Sequence, residues 1–173
     1  MINKILVWIA VAVLGRLIIH VPDVTPLSAL ALLAPTVFSK RFSLCMTLAT
    51  LVLSDVALHF LLHESVFGNW TLFTYSGWIG VTLLGFLFAR NPTFLRGFLF
   101  ASVSTIGFWI WTNAGSFLVM HLYPHTMNGL LNCYLAALPF LKNSLMGAMV
   151  WMGVLMVGFA TQPIRPFFKY FLE

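Results

Sequence analysis

Residues 42–62 read FSLCMTLATLVLSDVALHFLL, an apolar run in which Asp55 is the one acidic residue and no Lys or Arg occurs. A helix crosses the hydrocarbon core of a bilayer with about 20 consecutive, mainly apolar residues. The run has that length, and Lys40 and Arg41 directly precede it. Positive residues at one end are typical of the cytoplasmic end of a membrane helix. This stretch therefore predicts a membrane span.

Five similar runs surround it, separated by charges and by Pro, Gly and Asn clusters. The second run is short and is limited by Pro22, Pro26 and Pro35, so it is either a short tilted span or a re-entrant element. We predict an all-α membrane protein, a six-helix transmembrane bundle formed by residues 1–162, with residues 163–173 as an interfacial cytoplasmic tail. The predicted spans are approximately 3–19, 24–39, 42–62, 71–89, 95–120 and 134–161.

The composition agrees with a lipid-embedded chain. Hydrophobic residues make up 61% of the 173 residues and charged residues 8%, whereas a soluble domain carries roughly 25% charged residues. The net charge of +5 is scattered without a basic cluster, so nucleic acid is not an expected partner. Arg16 and His20 stand where a signal peptide would have its small-residue cleavage site, so residues 1–20 are interpreted as the first span.

The distribution of positive charge predicts the orientation. If all six runs cross the membrane, the loops 20–23, 59–69 and 121–133 share one side and contain no Lys or Arg. Cytoplasmic loops attract positive residues, so we expect both termini in the cytoplasm. The opposite side receives seven positive residues, namely Lys4, Lys40, Arg41, Arg90, Arg96, Arg165 and Lys169.

Polar residues concentrate toward the predicted external ends of the helices, which indicates an outward-facing binding cup. Ionisable residues within a span usually face the bundle interior and have a partner. Asp55 therefore either pairs with Arg16 or Lys142 for structural reasons, or contacts a polar group of a ligand. The candidate ligand-binding residues are Arg16, Asp55, His59, Asn113, Tyr123, Asn132, Tyr134, Lys142 and Asn143.

Histidines at the same end provide a metal alternative. His59 and His63 form an HxxxH pair on a predicted helix, a spacing at which two imidazoles can meet one ion. Pro124 makes a regular helix unlikely for the second such pair. No catalytic constellation is evident, and an enzyme would use Cys133 with His121 or His125. The metal candidates are His59, His63, His121, His125 and Cys133.

Four segments together carry a resemblance to a known group: RLIIHVPDVTPLSALAL at 16–32, LSD at 53–55, TN at 112–113 and YPHTMNGLLNCYLAALPFLKN at 123–143. The pattern resembles an uncharacterised bacterial family of small multi-pass membrane proteins. That family is itself similar to the substrate-binding S-components of energy-coupling-factor (ECF) vitamin transporters.

The resemblance implies a six-helix subunit in the bacterial inner (plasma) membrane that binds a vitamin or similar micronutrient at its external face. It also implies a membrane coupling subunit and paired cytoplasmic ATPases as partners. S-components typically carry AxxxA on the first helix for docking. This chain departs from that motif, with Ala10, Ala12 and Gly15 in the first helix. A solitary corrinoid transporter within the same superfamily uses Cys and His to ligate cobalt, so a metal or corrinoid ligand is an alternative.

The sequence therefore predicts a membrane uptake protein that captures a small, vitamin-like solute from outside. Two alternatives remain at this point. One is a membrane-embedded enzyme acting on a lipid-linked substrate, and the other is a non-catalytic membrane assembly subunit whose polar groups pair only with one another.

Overall fold

A computed structural model describes residues 2–18, 23–63 and 67–160. Within them the chain forms six helices, and the predicted tail at 163–173 lies outside the described residues. The helices are α1 (Ile2–Ile18), α2 (Leu27–Val37), α3 (Lys40–Leu62), α4 (Thr71–Phe88), α5 (Phe94–Val119) and α6 (Met127–Ala160).

Length and apolar composition make four of these helices candidate membrane spans, namely Lys40–Leu61, Thr71–Phe88, Phe94–Val119 and Met127–Gly158. α1 and α2 are apolar but shorter than these four. In the described residues, the prediction of an all-α protein with helices long and apolar enough to span a membrane is confirmed.

α2 lies at the centre of the bundle. Among the described residues, α1, α3, α4, α5 and α6 follow one another in an arc, each contacting the next, and α2 contacts all five. Leu27 and every residue from 29 to 35 are buried. At about 1.5 Å per residue the 11 residues of α2 span about 16 Å, so the segment predicted at 24–39 becomes a short helix enclosed by protein.

A glycine allows α4 to approach α2 closely. A Cβ atom added at Gly85 would lie 2.7 Å from the carbonyl oxygen of Leu32 and 3.2 Å from that of Ala31. Pro35 lacks the N–H that would bond the Ala31 carbonyl within the helix. The backbone of α2 therefore packs directly against α4 at Gly85.

α6 begins at Met127 rather than at residue 134, where the continuous apolar run starts. Thr126 explains the earlier start, because its hydroxyl oxygen accepts a hydrogen bond from the Gly129 N–H at 3.1 Å, and Thr is a favoured N-cap residue. The helix continues through Pro139 to Ala160. Asn132, previously expected in a loop, consequently lies on a helix.

Thr50 has a buried hydroxyl with no hydrogen-bond partner in the described part of the chain. It lines a cavity of about 10 Å³ between Trp8 and Trp78. The Thr82 hydroxyl is also buried, but it lies 3.0 Å from the Trp78 carbonyl oxygen and 3.0 Å from the Thr47 hydroxyl, and is hydrogen-bonded to both. These two threonines therefore provide a matched comparison.

We expect Thr50→Val to stabilise the fold by about 1 kcal/mol, because the isosteric valine removes a buried polar group that makes no hydrogen bond. Thr82→Val should destabilise it by about 1 kcal/mol, since this hydroxyl is bonded. Thermal unfolding in detergent measures both. A loss of stability in Thr50→Val would instead show that its hydroxyl bonds a water in the small cavity.

Candidate functional site

An ion pair between α1 and α3 lies inside the otherwise apolar bundle. Nη1 of Arg16 lies 2.5 Å from Oδ1 of Asp55 and donates a second hydrogen bond to the Ser54 hydroxyl at 2.6 Å. The Tyr75 hydroxyl, from α4, donates to Oδ2 of Asp55 at 2.9 Å. Three helices therefore converge on one carboxylate, and both of its oxygens accept a hydrogen bond.

The two charges of this cluster differ in exposure. The Asp55 side chain is 6% exposed and the Arg16 side chain 19%. A buried ion pair persists only when hydrogen bonds satisfy its remaining polar atoms, and Tyr75 and Ser54 provide such bonds. The carboxylate is almost fully enclosed by protein, whereas the Arg16 side chain is partly exposed. Arg16, Ser54, Asp55 and Tyr75 are called the Arg16 cluster below.

α1 and α2 meet beside this cluster, at a level that α3 and α6 extend beyond. Pro26 packs on Gly15 of α1, and Val24 lies against Gly147 in the middle of α6. From Gly147, α6 continues about 30 Å toward Met127, and α3 continues about 10 Å beyond Asp55. α3 and α6 therefore extend past the level at which α1 and α2 meet. The space that they border above this junction, next to Arg16, is called the recess below.

Side chains of α5 and α6, among them the predicted Asn113 and Tyr134, form a second hydrogen-bonded group. The indole N–H of Trp109 donates to the Ala137 carbonyl at 3.0 Å, and the Tyr134 hydroxyl donates to the Ile110 carbonyl at 2.8 Å. The Asn113 side-chain amide donates to the Trp109 carbonyl at 2.8 Å. Trp109 and Tyr134 therefore join the two helices, whereas the Asn113 side chain bonds within α5. The remaining acceptor of Asn113 is its side-chain oxygen.

The other predicted ligand-binding residues are distributed along the same end of the bundle. His59 is exposed on α3, and its ring centroid lies 5.2 Å from that of Phe60 in an edge-to-face arrangement. Tyr123 is half-buried in the loop before α6, and Asn132 is exposed on α6. Asn143 shares the side of α6 that carries Gly147, because residues four apart lie on one face.

Lys142 is positioned differently from the other candidates. It is exposed, and it has no hydrogen bond or ion pair with any residue that the structure describes. Of the two partners expected for Asp55, the structure shows Arg16. Lys142 is not brought together with the Arg16 cluster.

The metal candidates do not converge. His121 and His125 lie side by side with ring centroids 5.2 Å apart, and Nε2 of His125 is 3.0 Å from the Phe117 carbonyl oxygen. The Cys133 thiol is buried and faces the Asn113 carbonyl at 3.7 Å. In ranges 2–18, 23–63 and 67–160, no three His, Cys, Asp or Glu side chains are grouped closely enough to hold an ion. His63 ends α3 as an exposed residue with φ of 55°.

The profile of one protein family, described as a family of unknown function (DUF6580), matches residues 2–167. The chain belongs to DUF6580. No curated protein and no solved structure matches it significantly. Because the family is one of unknown function, membership assigns no activity to this chain.

This DUF6580 member also has a groove that sequence reasoning missed. It lies between α4 and α5 and encloses about 300 Å³, with Trp111 and Ser76 at one end, joined by a 2.9 Å hydrogen bond. A Cβ atom at Gly80 or Gly107 would meet nothing within 4 Å. Two glycines on neighbouring helices are the signal that indicates such a groove.

Two members of the Arg16 cluster were also absent from the predicted site of this DUF6580 protein. Ser54 directly precedes Asp55, and a hydroxyl beside an intramembrane acid is a usable signal. Tyr75 lies 20 residues from Asp55 and reaches it only because α4 packs against α3. No local pattern identifies that contact.

Proposed function

We propose that this protein is a bacterial inner-membrane uptake protein that binds a small, vitamin-like solute in the recess above the junction of α1 and α2. The observation that supports the proposal is the Arg16 cluster, a hydrogen-bonded ion pair that lies beside the junction of α1 and α2 in a largely apolar bundle. Ionisable groups within spans mark ligand or ion sites more often than chance placement would. The resemblance to ECF S-components supports the same class of function.

In this proposal the guanidinium of Arg16 contacts the solute. Arg carries five N–H donors in a fixed fork, and its bonds to described side chains use Nη1. Asp55 and Tyr75 position that fork. Asn143, on the side of α6 that carries Gly147, contributes an amide. A solute with a carboxylate or ring carbonyl matches these donors.

The orientation and partners belong to the same proposal. All six helices cross or line the membrane domain, both termini lie in the cytoplasm, and the recess opens outward, as the distribution of Lys and Arg supports. Energy for uptake comes from a coupling subunit with cytoplasmic ATPases, as in ECF transporters. A metal-containing solute such as a corrinoid remains one substrate class within the proposal.

A non-catalytic assembly subunit is the second candidate. The observation favouring it is that both oxygens of Asp55 already accept hydrogen bonds from Arg16 and Tyr75, as a purely structural pair would. For an enzyme, the buried position of Cys133 against a carbonyl provides no support as a nucleophile. Ligand binding separates the two candidates.

The test begins with protein purified in mild detergent and analysed by native mass spectrometry, absorbance and elemental analysis. Vitamins and cobalamin are then added individually, and their binding is measured by calorimetry. We expect one of them to bind, and Arg16→Gln to weaken that binding at least about tenfold, since loss of a charged hydrogen bond removes about 1.5–3 kcal/mol.

Arg96→Gln is the matched control, because Arg96 lies in the first turn of α5, at the opposite end of the bundle, over the Phe100 ring. The Arg96→Gln variant should bind the ligand with the same affinity as the unmodified protein. Binding is measured on variants whose helical content by circular dichroism is unchanged. Equal affinity in Arg16→Gln would place the ligand elsewhere, and no binding of any compound would favour the assembly subunit.

A further inference from the structure

The groove between α4 and α5 is lined by apolar groups and by hydroxyls that are already bonded. Ser104 donates to the Ala101 carbonyl at 3.1 Å. Ser76 donates to the Leu72 carbonyl at 2.7 Å and accepts from the Trp111 indole N–H. The other lining residues are Gly, Val, Leu and Phe. A polar group buried there without a hydrogen bond would cost free energy, so the groove suits a hydrocarbon group better than a polar solute.

The dimensions of the groove match a single hydrocarbon chain. From Ser76 to Leu84 it runs along about 12 Å of α4, so its volume of about 300 Å³ corresponds to a mean cross-section of about 25 Å². A helix about 10 Å wide has a cross-section of about 80 Å², which is too large. A hydrocarbon chain, whose carbon atoms contact their neighbours at about 4 Å, fits the smaller section.

The two ends of the groove differ. At one end Trp111 of α5 donates to Ser76 of α4 at 2.9 Å, so a side-chain bridge crosses between the helices. At the other end Arg96 shares the face of α5 that carries Ser104, because they are two steps of four residues apart. The Arg96 guanidinium donates to the Leu87 carbonyl of α4 at 3.4 Å. The groove and the surface that leads from it to Arg96 are called the α4–α5 seam below.

The seam ends in two cations near a membrane surface. The candidate span Thr71–Phe88 has 18 residues, or about 27 Å of helix, close to the roughly 30 Å of hydrocarbon. Arg90, two residues beyond this span, is exposed. The sequence has no Asp or Glu from residue 65 to residue 172, and neither Arg90 nor Arg96 has an ion pair with any residue that the structure describes. The seam therefore offers positive charge to an anion.

The distance from these cations to the groove matches the depth of one lipid leaflet. Gly107 lies about 16 Å from Arg96 along α5, and Gly80 lies about 12 Å from Phe88 along α4. The hydrocarbon of one leaflet is half of the bilayer core, or about 15 Å. A phospholipid with its phosphate at the arginines would therefore end its acyl chain at the two glycines, where a Cβ atom meets nothing within 4 Å.

We propose that the α4–α5 seam binds one anionic phospholipid, with its phosphate on Arg90 and Arg96 and one acyl chain in the groove. The planar donor fork of arginine matches phosphate oxygens, and basic residues beside membrane helices recognise anionic head groups. Leu87 at this site lies about 18 Å along α4 from Tyr75 of the Arg16 cluster. The inference therefore holds whether or not the recess binds a solute, and Arg96→Gln should alter lipid binding alone.

The experiment titrates the full chain in mild detergent with phosphatidylglycerol or phosphatidylcholine of identical acyl chains, and native mass spectrometry counts the lipid retained. We expect one phosphatidylglycerol to bind at least about tenfold more tightly than phosphatidylcholine, and Arg90→Gln or Arg96→Gln each to lower this preference about fivefold. Lys40→Gln is the matched control, because Lys40 begins α3, on the other side of α4 from α5. It should keep the preference.

A second pair of variants tests the acyl chain. Gly107→Leu should weaken phosphatidylglycerol binding at least about fivefold, because the leucine occupies the space that the chain fills. Gly158→Leu is its control, since a Cβ atom there also meets nothing within 4 Å but lies outside the seam. Gly80→Leu repeats the test from α4, and circular dichroism checks the helical content of each variant. Equal retention of both lipids would overturn the proposal, as would unchanged phosphatidylglycerol binding in Arg96→Gln or in the groove variants.

Discussion

Asp55→Asn is expected to lower the free energy of unfolding by about 2–3 kcal/mol. Removing one partner of a buried ion pair leaves an uncompensated charge, which is destabilising by about 3–5 kcal/mol when fully buried. The 19% exposure of the Arg16 side chain lets solvent offset part of this loss. Tyr75 would also exchange a carboxylate acceptor for a weaker amide oxygen. Unfolding in mixed detergent micelles measures the change.

A double-mutant cycle isolates the pair from its surroundings. Arg16→Gln combined with Asp55→Asn removes both charges and should recover most of the stability lost in the single variants. Asp23→Asn is the matched control, because Asp23 is exposed and its φ of 64° is one that Asn tolerates. It should change stability by less than about 0.5 kcal/mol. Additive effects at Arg16 and Asp55 would contradict a coupled ion pair.

Gly85→Ala is expected to destabilise the fold by about 2–3 kcal/mol. The new methyl group would lie 2.7 Å from the Leu32 carbonyl oxygen and 3.1 Å from the Leu32 Cα. Both are backbone atoms in the buried central helix, so neither can move aside as a side chain does. Overpacking of this kind typically costs about 1–3 kcal/mol.

Gly80→Ala in the same helix provides the control. Nothing lies within 4 Å of a Cβ atom at Gly80, and alanine favours a helix interior over glycine by about 0.5–1 kcal/mol. We therefore expect Gly80→Ala to be neutral or stabilising. The same melting experiment measures both variants. Equal effects at the two glycines would show that α2 and α4 do not pack through Gly85.

The helices themselves were predictable because hydropathy is a local property. A run such as 42–62 is apolar along its whole length, and the structure forms α3 over Lys40–Leu62. The helix that contains the predicted span 134–161 begins earlier, at Met127, than the apolar pattern, which begins at residue 134. The Thr126 cap lies in a polar, Pro-containing stretch that was interpreted as a loop.

That boundary also affected the position assigned to Lys142. With the span starting at residue 134, Lys142 lies two turns from the outer end, beside the predicted cup. With α6 starting at Met127, it lies near the middle of the helix. Its outward direction was present in the sequence, because Leu138 and Met146 lie one turn away on either side.

The predicted site was recovered only in part because its contacts are not local. Arg16 was one of two partners considered for Asp55, and choosing between them required the packing of α1 against α3. Asn113 and Tyr134 were selected for polarity, but their bonds go to backbone atoms of α5. Backbone acceptors carry no sequence signal.

The central position of α2 has a consequence for biosynthesis. Its 11 residues reach about half of the roughly 30 Å hydrocarbon thickness, so the bilayer alone does not hold it in a defined place. The ribosome makes α2 before α4, whose Gly85 forms the surface on which it rests. A nascent chain that ends before residue 85 therefore lacks this binding surface. α2, although the second helix in the chain, can therefore complete its packing only after α4 has been made.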